Sequence, residues 1–301
     1  MATYVNSVPE QRAASKPEAQ LPWQQLLWFG GLLVLCYAPV LYRLVHQWIN
    51  DEDMGHGFFV PVVAGYIVWQ RRDILSAIKP EPNYWGLILI VWSAMQLMLG
   101  TLGAELFLAR TSFLIAIVGV ILVLGGTKLL KALAFPLALL PFMIPIPAIV
   151  YARITLPLQL FASVVAENVL NLIGIPVLRD GNVLELASQK LSVVEACSGI
   201  RSLLSLSFLS LIYAYFFDSK VWMRWALLFG TIPIAIAANA SRVTLTGILS
   251  EIRTDLAQGF FHTLEGWVLF LVAIALLVLF HQFVNWIYRV VFHGNKTEQP
   301  A

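Results

Sequence analysis

Three side chains in this sequence have the types that acyl-transfer chemistry needs. Cys197 stands in Glu195-Ala196-Cys197-Ser198-Gly199-Ile200-Arg201, Arg242 in Asn239-Ala240-Ser241-Arg242-Val243, and His262 in His262-Thr263-Leu264-Glu265-Gly266. A cysteine attacks as its thiolate, and a thiol pKa of about 8.5 falls at a helix start or beside a cation. Cys197 has both chances, since a helix is predicted from about Ser198 and Arg201 follows one turn on. A histidine such as His262 takes the thiol proton and later protonates a leaving amine. Arg242 offers fixed donors to the oxyanion of a tetrahedral intermediate. Ser198 and Gly199 are small enough to let a substrate backbone approach. Asn239 precedes Arg242 by three residues, hence lies on the same helical face, where it holds the guanidinium or donates to the oxyanion itself. Singly, each has a plainer reading: a small buried thiol, a snorkelling arginine, an interfacial histidine. Their convergence is what favours chemistry.

That convergence depends on the elements that carry them. Hydrophobic residues make up 59% of the 301-residue chain and charged residues only 12%, against about 25% charged in an ordinary soluble domain. So much apolar surface needs the bilayer as its solvent. Runs long enough to be considered as spans lie near Gln25–Val45, Phe58–Gln70, Tyr84–Leu102, Leu106–Leu124, Ala132–Val150, Gly199–Phe217, Val221–Ala240 and Glu265–Tyr288. The expected fold is therefore an all-α polytopic membrane protein of about eight transmembrane helices. Pro136, Pro141, Pro145 and Pro147 must kink or break the fifth run, as proline does. Cys197 just precedes one span, the chain returns through the next to deliver Arg242, and 243–261 holds no run able to cross again. All three residues then share one face whichever way the protein is inserted.

Lys128, Lys131, Lys220 and Arg224 sit in short connections, which places those connections and both termini in the cytoplasm. Residues 1–24 read as a disordered cytoplasmic tail, 25–290 as the transmembrane domain and 291–301 as a second cytoplasmic tail. The segments 46–57, 151–198 and 241–264 then face outward. Within 151–173 an apolar stripe at helical spacing suggests a helix lying at the interface. After it, Asp180-Gly181 between two apolar pairs is a hairpin signal, because a tight turn needs positive φ. A second alternating stretch begins at Leu191 and leads into Cys197. A small outward β element thus feeds the cysteine.

His56, in Gly55-His56-Gly57, faces the same compartment by this count and is placed to line substrate access or orient the site. Glu195 and Glu265 flank the chemistry-bearing residues as possible partners for Arg201, Arg242 or His262. The five histidines and two cysteines are scattered without metal-site spacing, so no metal and no cofactor is expected. A net charge of +2 without a basic run longer than Arg71-Arg72 gives no reason to expect nucleic acid.

The stretch Gly174–Leu204, with its hairpin-like segment before Cys-Ser-Gly-Ile-Arg, resembles the signature of the exosortase/archaeosortase family. Asn239-Ala240-Ser241-Arg242-Val243 and His262-Thr263-Leu264-Glu265-Gly266 look like its second and third motifs, and Gly55-His56-Gly57-Phe58-Phe59-Val60-Pro61 is similar to its early His-Gly loop. Gly-His-Gly stands where Ser-His-Gly is common in the family. The resemblance implies a cysteine-type peptidase or transpeptidase, a multi-pass protein of the bacterial inner membrane with its site facing the periplasm. Cys197 matches the nucleophile, Arg242 the oxyanion-stabilising arginine and His262 the acid/base; Ser198, Gly199, Arg201, Asn239 and His56 support them or touch substrate. The implied partners are exported proteins with a C-terminal sorting signal (a Pro-Glu-Pro-like motif, a hydrophobic helix and a basic tail), the lipid bilayer, and an acceptor lipid or glycan in an exopolysaccharide-producing setting. The competing expectation is a non-enzymatic transporter or scaffold of polysaccharide export, suggested by the Pro-broken run. Against it stands the scarcity of charge within the predicted spans.

Overall fold

A computed structural model describes residues 23–193, 199–252 and 259–293. These residues divide into two compact units, 23–45 with 59–141, and 46–58 with those from 142 to 293.

The first unit begins with α1 (Trp23–Cys36) and the part of α2 (Ala38–Asn50) up to Val45. They meet at 73°, where Pro39 brings no N–H to continue the helix. After α3 (Phe59–Gln70) and α4 (Arg72–Ser76) come the long pair α5 (Trp85–Leu102) and α6 (Leu106–Ala132), then α7 (Ala134–Leu139). Glycines let α5 and α6 touch backbone to backbone: a Cβ at Gly86 would lie 2.5 Å from the Gly119 carbonyl oxygen. Arg110 lies in the second turn of α6 and is 4% exposed, so this span does bury a charge.

The second unit carries α8 (Ala148–Leu172), three short strands and the helices α9 (Gly199–Phe217), α10 (Val221–Ile252) and α11 (Gly259–His293). Gly174, at φ +87°, closes α8: the Ile175 N–H reaches the Leu170 carbonyl at 2.9 Å and the Gly174 N–H reaches Asn171 at 3.1 Å. This left-handed stop turns the chain into β1 (Val177–Asp180), β2 (Val183–Leu186) and β3 (Lys190–Ser192), an antiparallel sheet in that order. Asp180 pairs with Val183, so the two-residue turn is Gly181-Asn182, one position later than the Asp-Gly pair suggested. Gly181 at φ +61° fills the first central position, where a type II′ turn demands glycine.

The sheet lays Leu184, Leu186, Leu191 and Val193 into one core with Ala162, Ala166 and Leu170 of α8 and Ala240 and Val243 of α10. This explains the polar residues that made α8 resemble an interfacial helix. Glu167 pairs with Arg179 Nε at 2.7 Å, Gln159 accepts from Asn182 Nδ2 at 3.2 Å, and the Ser163 hydroxyl donates to the Gly181 carbonyl at 3.0 Å. That stripe faces the sheet rather than water. With 25 residues, α8 is itself long and apolar enough to cross a bilayer.

By length and composition the described residues hold five such helices, α5, α6, α8, α10 and the Gly266–Val291 part of α11, or six with the bent α1–α2 pair. The protein is a multi-pass α-helical membrane protein, but the count of eight is not confirmed. Phe59–Gln70 has only 12 residues, the Pro-rich run breaks into α7 and a 3-10 turn at Leu140–Met143, and the fully described part of α9, Leu203–Phe217, falls among the shorter apolar helices.

Candidate active site

Arg242 is not a residue just beyond a span, as its place after Ala240 suggested; α10 continues through it to Ile252. The polar stretch is compatible with the helix because its hydroxyls find acceptors in the helix's own carbonyls. Thr244 donates to the Ala240 carbonyl at 2.9 Å, Thr246 to Arg242 at 3.0 Å and Ser250 to Gly247 at 2.8 Å.

The Arg242 side chain crosses to α11 and lies on Gly266. A Cβ there would sit 3.2 Å from Nη2 and 3.3 Å from Cζ, so only glycine leaves the guanidinium its present seat. Asn239, one turn before Arg242, is 7% exposed. The two polar residues open into one cavity with Gly266, Leu269 and Phe270 of α11 and Leu206 of α9. A neighbouring small cavity joins Asn239 and Ala235 to Leu203 of α9 and Leu158 of α8. The Ser207 hydroxyl of α9 lies 3.2 Å from the Thr231 hydroxyl of α10, and the two helices run antiparallel from the short connection between Phe217 and Val221. Eight residues back from Ser207, the start of α9 at Gly199 comes to about the level of Asn239, one turn before Arg242.

His262 lies in α11 one turn before Gly266, with only its backbone position described, and the same holds for Arg201 in the first turn of α9. Cys197, Ser198 and Glu195 lie outside the described residues. The chain distance is fixed regardless: Cys197 precedes Gly199 by two residues, which span at most about 7 Å.

His56 is held apart from the Arg242 cavity. It sits in a 3-10 turn, Glu52–Phe58, whose Gly57 is required because a Cβ there would lie 2.5 Å from Trp48 Nε1. The Trp48 indole donates to the Met143 carbonyl at 2.9 Å and Tyr151 donates to Asp53 at 2.9 Å. His56 Nε2 lies 3.2 Å from the Phe142 carbonyl and Nδ1 lies 3.3 Å from the Ser205 hydroxyl of α9. The Phe142 carbonyl accepts only, so a proton on Nε2 makes that bond and lets Nδ1 accept from Ser205. Burial pushes the imidazole pKa down, and the Phe142 and Asp53 carbonyls with the Asp53 charge oppose the shift without cancelling it. His56 thus braces the first half of α9, the helix that follows the cysteine. Ser205, its partner, carries no sequence signal that would have singled it out.

At the far end of the same helices a buried polar cluster joins all three. Asp218, in the α9–α10 connection, accepts the Lys220 backbone N–H at 2.8 Å, Asn285 Nδ2 at 3.2 Å and lies 3.1 Å from His281 Nε2. His281 Nδ1 in turn lies 3.0 Å from the Tyr213 hydroxyl.

The family model described as transmembrane exosortase matches residues 48–279, which takes in Cys197, Arg242 and His262. No curated protein matches the chain, and no solved structure does.

Proposed function

Because this chain belongs to the transmembrane exosortase family, we propose that it is a membrane cysteine peptidase or transpeptidase acting on exported proteins. Its substrates carry a C-terminal Pro-Glu-Pro-like sorting signal, and its site faces the periplasm of a bacterial inner membrane. Cys197 attacks the scissile carbonyl as a thiolate, its proton having passed to His262. The amide π electrons move onto oxygen, where Arg242, with Asn239 beside it, stabilises the oxyanion. Collapse breaks the C–N bond, His262 protonates the departing amine, and the substrate remains as a thioester on Cys197. Water, or a nucleophilic group of an acceptor lipid or glycan, then attacks the thioester, gives its proton to His262 and frees the thiolate.

One observation carries this reading. The Arg242 guanidinium rests on Gly266, which follows His262 by one turn of α11 (about 6 Å of rise), and Arg242 lies within one turn of the level at which α9 begins. On this reading three distant stretches of sequence bring a cation, an imidazole and a thiol together, and the seat of Arg242 on Gly266 supports it.

The test is co-expression with a tagged protein that ends in such a signal. Cys197→Ala is expected to leave the precursor unprocessed while the enzyme accumulates normally. Wild-type enzyme is expected to yield a hydroxylamine-sensitive covalent adduct. Undiminished processing by Cys197→Ala would overturn the mechanism and return the scaffold reading.

A further inference from the structure

Among the described residues, the strand that leads toward Cys197 has an open edge. In the β2–β3 pair Leu184 stands opposite Leu191, and Val193 N–H bonds the Asn182 carbonyl at 2.9 Å. Bonded pairs alternate along an antiparallel ladder, so Leu191 and Val193 turn their backbone groups toward β2. Lys190 and Ser192 therefore turn theirs the other way, toward the side on which the sheet ends. No hydrogen bond to those four outward N–H and C=O groups exists among the described residues. The Lys190 side chain is 74% exposed, so this edge is reachable. It is also fixed in place, since Leu191 and Val193 are buried in the core shared with α8 and α10. The Ser188 N–H and hydroxyl both bond Glu251 of α10, at 3.0 and 2.7 Å.

An exposed strand edge is a template for another extended chain. We propose that the sorting motif of the substrate adds to β3 as a fourth strand, running parallel to it; this rests on the function proposed above. The direction follows from order along the two chains. In the enzyme β3 is followed by Cys197 and then by α9; in the substrate an extended motif is followed by a hydrophobic helix. Parallel alignment sets motif beside strand and helix beside helix, with the intervening substrate residues passing Cys197.

The hydrogen-bond supply matches as well. In a parallel pair, one substrate residue opposite Leu191 donates its N–H to the Lys190 carbonyl and accepts the Ser192 N–H. A three-residue strand offers that set once. A Pro-Glu-Pro segment asks for it once, through the glutamate, while both prolines point their missing N–H away from the edge, where proline is tolerated.

The experiment uses purified full-length enzyme in detergent and a synthetic sorting-signal peptide comprising motif, hydrophobic helix and basic tail. N-methylation of the motif glutamate removes its N–H and is expected to lower kcat/KM about tenfold, as loss of one net hydrogen bond does. N-methylation several residues upstream should have little effect. On the enzyme, Ser192→Pro removes an N–H that bonds nothing among the described residues and is expected to raise KM by a similar factor, with the thermal midpoint unchanged. Equal turnover of both peptides, with the unmodified one processed, would overturn the strand addition alone. Failure of wild-type enzyme to process the unmodified peptide would overturn the proposed function and this inference with it. The peptide arm decides the matter even if Ser192→Pro does not fold.

Discussion

Gly266→Ala separates the work of Arg242 from the stability of the helices that hold it. The new Cβ would lie 3.2 Å from Nη2 and 3.3 Å from Cζ, inside the optimum of about 3.5–4.0 Å for such contacts. The guanidinium must retreat by a few tenths of an ångström. Oxyanion donors act at about 2.7–3.1 Å, and losing one costs about 10²–10³ in rate; a partial retreat should cost about tenfold in kcat. Folding should not suffer, since alanine in a helix interior is favoured over glycine by about 1 kcal/mol, which offsets the strain of moving one side chain. The assay is turnover of a sorting-signal peptide alongside thermal unfolding, for wild type, Gly266→Ala, Arg242→Ala and the double variant. If the glycine acts through the arginine, Gly266→Ala lowers kcat in the native background and adds nothing on top of Arg242→Ala. Unchanged kcat in Gly266→Ala, or the same fold-loss in both backgrounds, would refute the reasoning and make Gly266 a packing residue only.

Asp218→Ala should destabilise the protein by about 3 kcal/mol in detergent unfolding, because it strands buried donors on Lys220, Asn285 and His281. Burial pushes the Asp218 carboxyl up, but the Lys220 N–H, His281 and Asn285 together hold it below its ordinary range. Its contribution is therefore present above the unfolded carboxylate pKa of about 3.9 and is lost as pH falls through the lower folded value. His56 follows the same sign at higher pH. With its folded pKa depressed by burial, its contribution is full above the ordinary value of about 6.5 and is lost as pH falls below it. His56→Gln, which keeps a donor for the Phe142 carbonyl, should flatten the fall in thermal midpoint between about pH 8 and 5.

Much of this architecture is legible in the sequence, through the two periodicities that bilayers and sheets impose. Apolar run length points to the long helices, and a glycine between short apolar pairs points to the hairpin. The errors have one origin: local pattern does not reveal what a polar residue faces. The apolar stripe over 151–173 reads as a helix at the interface, but the polar residues between its positions, Gln159 and Glu167, bond the hairpin, as does Ser163. The falling hydropathy after Ala240 reads as the end of a span, but the helix continues to Ile252, where Thr244, Thr246 and Ser250 hide their hydroxyls on its own carbonyls. The turn moved by one residue because Asp-Gly and Gly-Asn both supply the positive φ and only strand pairing chooses between them. At the candidate site, Arg242 and Gly266 are visible as spaced residues, but the seat of one on the other is a tertiary contact that no spacing encodes. The His56–Ser205 brace, across 149 positions, is the extreme case.

The two hydrogen bonds from Ser188 to Glu251 make one mechanical body of the three-stranded sheet and the C-terminal end of α10. A pull on the sheet is therefore felt by the helix that seats the guanidinium, rather than being absorbed in a slack loop. Tension in a precursor still threaded through the membrane would reach the cation and the strand before the cysteine along the same frame, so both would shift in step.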